Sequence, residues 1–283
     1  MHLGILMSTD MLVGVLAEPG RRGPRIVHSA AASIPAGADA AAVAAATGRL
    51  RSLLGARNRW AWACLDDREA PLRSVEMPRM RPREIARTIS LDLERYLPFR
   101  HEQAYVDFAV VGAGGDPDRQ RVAVAGTPRG WVDTLVAGTK AAGLELRRLE
   151  VEAICLERSL RAAGLQGRAY GVVGLEPEQA RLVLFRDRQP VLTRRMPVDP
   201  HLPQEVVRSV QFFLVQDRDA GFEALHVVAE RPGSLIDELG AELSSRIEGE
   251  IPVHALTLPF ASTPVGLREA AALGCLLGKR GLR

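Results

Sequence analysis

The chain has 283 residues, 47% of them hydrophobic, enough for two ordinary domains or one large domain with an insertion. Its 37 basic residues face 34 acidic ones for a net charge of +3, which argues against a dedicated nucleic-acid binder, whose basic excess is larger and clustered. Cys64, Cys155 and Cys275 are far apart in apolar runs and read as free core thiols rather than a disulfide framework. Residues 1–10 lack a basic segment ahead of an apolar core. No run of about 20 apolar residues occurs, so a soluble, cytoplasmic protein is expected.

Residues 3–16 read as two apolar strands around a polar turn at Ser8 to Asp10. A third strand is predicted near 25–33, then an alanine-rich helix over 38–54 and a strand over 60–65. The same order returns in the second half. Strands 170–174 and 180–185 flank a turn, a third strand spans 190–198, a helix 202–216, and a strand 224–229. A helix over 233–247, a strand over 251–255 and a helical segment over 265–279 follow.

Between the repeats lies a separate α/β module, 72–150. Pro82 suits the first position of a helix, having a fixed φ and no N–H to satisfy. Ile85, Ile89, Leu93, Tyr96 and Leu97 then share one helical face, and Pro98 is expected to end the helix. Strands at 104–111 and 121–126 flank a Gly/Asp/Pro turn. A helix over 128–142 and a strand over 144–151 are expected to close the module.

Strand–strand–strand–helix–strand, twice, is the layout of a duplicated actin-like (ribonuclease H-like) α/β fold, here with an inserted small α/β subdomain. The pattern divides the chain into three parts. Residues 1–71, with 151–167 and the C-terminal helix 261–283, form a first actin-like subdomain; 72–150 form the insert; 168–260 form the second actin-like subdomain.

Four segments resemble the type IV pilus assembly protein PilM family, also called competence protein A, which is related to the cell-division protein FtsA. Glu94-Arg-Tyr-Leu-Pro-Phe99 is similar to that family's Glu-X-Tyr-Leu-Pro-Phe string. Leu182 to Arg195 resembles its hairpin with a charged turn, and Glu205 to Phe213 its Glu-X-X-Arg-Ser-Leu-X-Tyr-Tyr helix. Pro259-Phe260 with Ala270 to Leu277 resembles its final helix. The resemblance implies a cytoplasmic scaffold, peripheral at the inner membrane, that binds the cytoplasmic tail of a single-span PilN-like protein. It is compatible with a homo-oligomer. The cytoplasmic part of the type II secretion protein GspL is close kin, and a GspL-like component is an alternative reading. Tyr96, Leu97 and Phe99 are the candidate partner-binding residues, with packing inside the protein as the competing role.

Actin-like ATPases hold phosphates with two Asp- and Gly-containing turns, where glycine allows close backbone approach and the acid organises Mg²⁺. The first turn departs from the family's Asp-X-Gly: Leu6 stands at the acid position and Ser8 at the glycine position. In the second, Gly174 to Gln179, Glu176 and Glu178 repel phosphate and Pro177 lacks a donor. The adenine-side Ser/Thr-Gly-Gly is reduced to Glu230-Arg-Pro-Gly233. No cofactor and no enzymatic activity are therefore expected. An ATP/Mg²⁺ binder with atypical loops is the alternative, with Ser8, Thr9 and Gly233 as its weak candidates.

The remaining signals point to no catalytic residue. His2, His28, His101, His201, His226 and His254 have no metal-ligand spacing, so no metal site is expected. Asp66-Asp67 at a strand end reads as a polar loop, and Ser159 and Ser209 as helix residues rather than nucleophiles. Arg49, Arg51, Arg57, Arg59, Arg73, Arg79, Arg81, Arg83 and Arg87 could face anionic lipid, but read first as solvated charges.

Overall fold

The computed structural model describes residues 1–20, 23–176, 179–216, 221–230 and 232–278. Two compact units divide the chain: Met1–Leu16 with His28–Glu152, and Ala17–Val27 with Ala153–Arg283.

In the first unit, β1 (His2–Met7) is buried along almost its whole length. It needs apolar residues at successive positions because both faces of the sheet are covered. β2 (Met11–Gly20) and β3 (Gly23–Ser33) lie to one side of it, and β4 (Trp60–Leu65) pairs parallel on the other, from Leu3↔Ala61 to Met7↔Leu65. The intervening helix α1 (Ala40–Leu54) is capped by Asp39, whose carboxylate accepts from the Ala42 N–H, and ends at Gly55 in the left-handed region. Val43, Ala46, Thr47, Leu50 and Leu54 form its buried stripe. Each leucine so buried contributes about 1.5–3 kcal/mol before entropy is subtracted.

The insert begins after β4. β5 (Leu72–Pro78), β6 (Ala104–Ala113) and β7 (Arg119–Pro128) make an antiparallel sheet in the order β5-β7-β6. Ile85 and Ile89 of α2 (Pro82–Leu91) pack with Met77, Val122 and Val124 in its core. The helix stops at Leu91, seven residues before Pro98, correcting the expected end. Asp92 leaves helical geometry (φ −137°), and a 3-10 turn over Leu93–Arg95 follows. The Asp92 side chain pairs instead with Arg95 of that turn at 3.7 Å. The tighter turn returns Leu93 and Leu97 to the core, the Leu93 carbonyl accepting from the N–H groups of Tyr96 and Leu97, each at 2.9 Å.

The two elements expected to close the module do not join its sheet. α3 (Arg129–Ala141) packs on α1, and β8 (Glu145–Val151) pairs parallel with β4, giving a five-stranded sheet ordered β3-β2-β1-β4-β8. The apolar faces of α3 and β8 complete the core around β1, which their local pattern could not reveal.

The second unit repeats this plan. β9 (Ala169–Leu175) is central, with antiparallel β10 (Gln179–Arg186) and β11 (Gln189–Pro197) on one side. Parallel β12 (Ala224–Val228) and β13 (Val253–Ala255) lie on the other, for an order of β11-β10-β9-β12-β13. The two-residue turn at Asp187 and Arg188 has positive φ at both positions, the geometry whose twist matches a hairpin. α5 (Leu202–Gln216) and α6 (Leu235–Arg246) cover one face through Val206, Val210, Leu239 and Leu243. α4 (Glu152–Ala162) and α7 (Leu267–Leu276) meet at close range: the buried Ser159 hydroxyl donates to the Ala270 carbonyl at 2.6 Å. That bond gives Ser159 a structural role.

Candidate functional site

The β1–β2 turn, where an actin-like protein would place its first phosphate loop, is closed by its own side chains together with those of the loop after β4. Ser8 is buried; its hydroxyl donates to Asp10 Oδ1 at 2.6 Å, and its N–H to the Met11 carbonyl at 3.0 Å. Thr9 donates both its N–H (3.1 Å) and its hydroxyl (2.7 Å) to Glu69 Oε1. Arg68 bridges Asp10 (3.0 Å) and the buried Asp66 (3.2 Å). The two hydroxyls singled out from sequence are thus engaged with carboxylates.

The electrostatics follow from this packing. Partial burial pushes the Asp10 carboxyl up, but the Ser8 hydroxyl and the Arg68 guanidinium outweigh it and hold Asp10 below its ordinary 3.8. Its stabilising contribution is present above that value and is lost as pH falls through the folded one. Glu69 goes the other way: burial lifts it above its ordinary 4.5, with Thr9 opposing and Asp66 adding to the rise. Its contribution is complete below 4.5 and is lost as pH rises through the folded value. Glu69→Gln keeps an acceptor for Thr9 without the buried charge. We expect its urea midpoint to equal or exceed the parent's near neutral pH, with the advantage shrinking on acidification. A lower midpoint at neutral pH would contradict this account.

Asp66 and Asp67 are joined by the buried Glu152, the three carboxylates lying within 4.8 Å of one another. Asp66 accepts from the N–H and the guanidinium of Arg68, so part of this acidic set organises the loop.

In the second unit, the described part of the β9–β10 turn is closed in the same manner. Glu176 accepts from Arg268 at 2.5 Å and lies 3.9 Å from Arg195. Gly174 is covered by Leu267, whose side chain would sit 2.4 Å from an added Cβ. Pro177 and Glu178 of this turn, Arg231 of the reduced adenine-side motif and Lys279 at the end of the expected last helix lie outside the described residues. Gly233 sits in the turn ahead of α6 with φ +54°.

Of the candidate partner residues, Leu97 is 2% exposed and belongs to the insert's core. Tyr96 and Phe99 are part-buried and pack against that core. Pro98 between them is exposed, and the Phe99 N–H donates to the Leu97 carbonyl at 2.8 Å. Among the arginines of the basic band, Arg49 donates to the Ser33 carbonyl, Arg51 to those of Ala142 and Asn58, and Arg59 pairs with Glu145. These three are tied to the fold.

Sequence reasoning missed Arg68, Glu69 and Arg268. Thr9 and Glu69 are 60 residues apart, and Glu176 and Arg268 are 92 apart, so no local spacing signals either pair.

Two sheets of matching strand order, each with a parallel half and covering helices, define an actin-like fold. The solved structures to which the chain is similar agree. A chain of a PilM–PilN type IV pilus biogenesis complex aligns with a TM-score of 0.72 at 20% identity, over 97% of both chains. Cyto-EpsL, the cytoplasmic domain of an inner membrane component of the Vibrio cholerae type II secretion system, aligns at 0.59 and 13% identity, over 99% of this chain and 96% of that one. A protein of actin-like ATPase fold and unknown function from Bacteroides thetaiotaomicron aligns at 0.53 and 12%, over 98% and 95%. No protein-family profile and no curated protein matches the chain. The likeness to a chain of the PilM–PilN complex thus covers the fold of nearly the whole chain.

Proposed function

We propose that this chain is a non-enzymatic scaffold of a type IV pilus or related competence or secretion machine, peripheral at the inner membrane and without a working nucleotide site. The observation that carries the reading is the state of the two turns. The carboxylates of Asp10, Glu69 and Glu176 lie in or beside these turns, and the Ser8 and Thr9 hydroxyls and the Arg68 and Arg268 guanidiniums are paired with them. A phosphate entering the first turn would meet two carboxylates and would have to displace Arg68. The likeness in fold to a chain of a PilM–PilN complex and to cyto-EpsL supports the scaffold role. Among the described residues no helix is long and apolar enough to cross a membrane, so attachment would come through a partner. That partner is the cytoplasmic tail of a single-span PilN-like protein. Its dock is bordered by the part-buried Tyr96 and Phe99, with Leu97 holding the segment in place.

Calorimetry with the tail peptide of such a partner, on the full chain, tests this. We expect saturable binding at micromolar peptide that Phe99→Ala weakens, and no thermal shift with ATP and Mg²⁺. A nucleotide bound at 100 times its Kd would stabilise the fold by about 2.7 kcal/mol, which a melting curve resolves. Such a shift would overturn the closed-turn reading; absence of peptide binding would overturn the docking role.

A further inference from the structure

His226 on β12 and His254 on β13 are register partners in the parallel pairing of these strands. They are 28 positions apart in sequence and lie on opposite sides of α6, so spacing alone gave no hint of a pair. Parallel neighbours in register project from the same face of a sheet. The two imidazole rings are 5.6 Å apart, centroid to centroid, and tilted by 36°. Two imidazoles bound to one ion, each with a metal–nitrogen bond of about 2.1 Å, hold their centroids roughly 5 Å apart. The observed centroid separation is within about 1 Å of that value.

The two rings differ in exposure. His226 is half-buried, and Tyr170 on β9 packs edge-on against it with centroids 6.2 Å apart. Burial, with a smaller effect from His254, pushes His226 below its ordinary 6.5. His254 is exposed and leaves the outer side open to water. Imidazole nitrogen suits Zn²⁺, Cu²⁺ and Ni²⁺ rather than Mg²⁺ or Ca²⁺.

We propose that His226 and His254 form a bidentate site for a divalent transition-metal ion of the Zn²⁺ class, with water completing the coordination. Bound there, the ion ties β13, a three-residue strand at the sheet edge, to β12. The site lies wholly on the second sheet and is independent of the docking reading.

Zinc chloride titrated into the EDTA-stripped full chain near neutral pH tests the proposal by calorimetry. We expect one site, weakened at least ten-fold in His254→Ala and in His226→Gln, and unchanged in His101→Ala. Zinc should raise the melting temperature of the parent and not of His254→Ala, an exposed change that leaves the core intact. Binding that survives His254→Ala, or no zinc binding at high-micromolar metal, would overturn it.

Discussion

Gly274→Ala is expected to destabilise the chain by about 3 kcal/mol or more, at the upper end of overpacking costs. A Cβ at this position would lie 1.8 Å from the Cys155 carbonyl oxygen and 2.4 Å from its carbon. Both are backbone atoms of α4, so no rotamer change relieves the clash, and α7 would have to move away. That movement strains the buried bond from Ser159 to the Ala270 carbonyl, one turn earlier in α7. Domains are stable by only about 5–15 kcal/mol, so a loss of this size is a large share. Gly240→Ala in α6 is the control, because an added Cβ there meets nothing within 4 Å. It should gain up to about 1 kcal/mol from helix propensity. Urea midpoints of the two variants should move in opposite directions. Equal midpoints would mean that the close α4–α7 approach is not a constraint.

The second large effect is expected at Leu97. Leu97→Ala removes a buried side chain from the core of the insert, at a cost of about 2–5 kcal/mol. Tyr96→Ala and Phe99→Ala remove part-exposed rings and should cost less. The comparison separates two roles that the Tyr-Leu-Pro-Phe segment could play. If Leu97→Ala loses partner binding and stability together while Phe99→Ala loses binding at nearly unchanged stability, then Leu97 supports and Phe99 touches. If Phe99→Ala matches Leu97→Ala in lost stability, the segment is core throughout, and the dock lies elsewhere. Chemical unfolding followed by near-UV signals of the aromatic residues gives the stability arm, and peptide calorimetry the binding arm.

The pattern of the chain was informative about its elements for simple reasons. Central strands such as β1 and β9 are apolar at nearly every position because both faces are covered. The stripe of α1 and its Asp39 and Gly55 ends follow from local rules of periodicity and capping. Repetition of the strand order was visible because each half obeys those rules separately. The end of α2 was misplaced because Pro98 is a stronger signal than Asp92, yet the chain leaves helical geometry at the acid. The closed turns were half legible: the departures from the phosphate-loop pattern could be read from sequence, but the groups filling the space could not.

By itself the sequence determined the duplicated strand–helix order, the apolar face of α2 and the departures of the two turns from the phosphate-loop pattern, since all three are set by neighbours a few positions away. The tertiary structure alone decided that β8 completes the first sheet and that Leu97 turns inward. It alone brought Glu69 to Thr9, Arg268 to Glu176 and His254 to His226. These contacts join residues 28 to 92 positions apart, and which of them form depends on how helices and strands pack to bury apolar surface, a property that no local window of the chain contains.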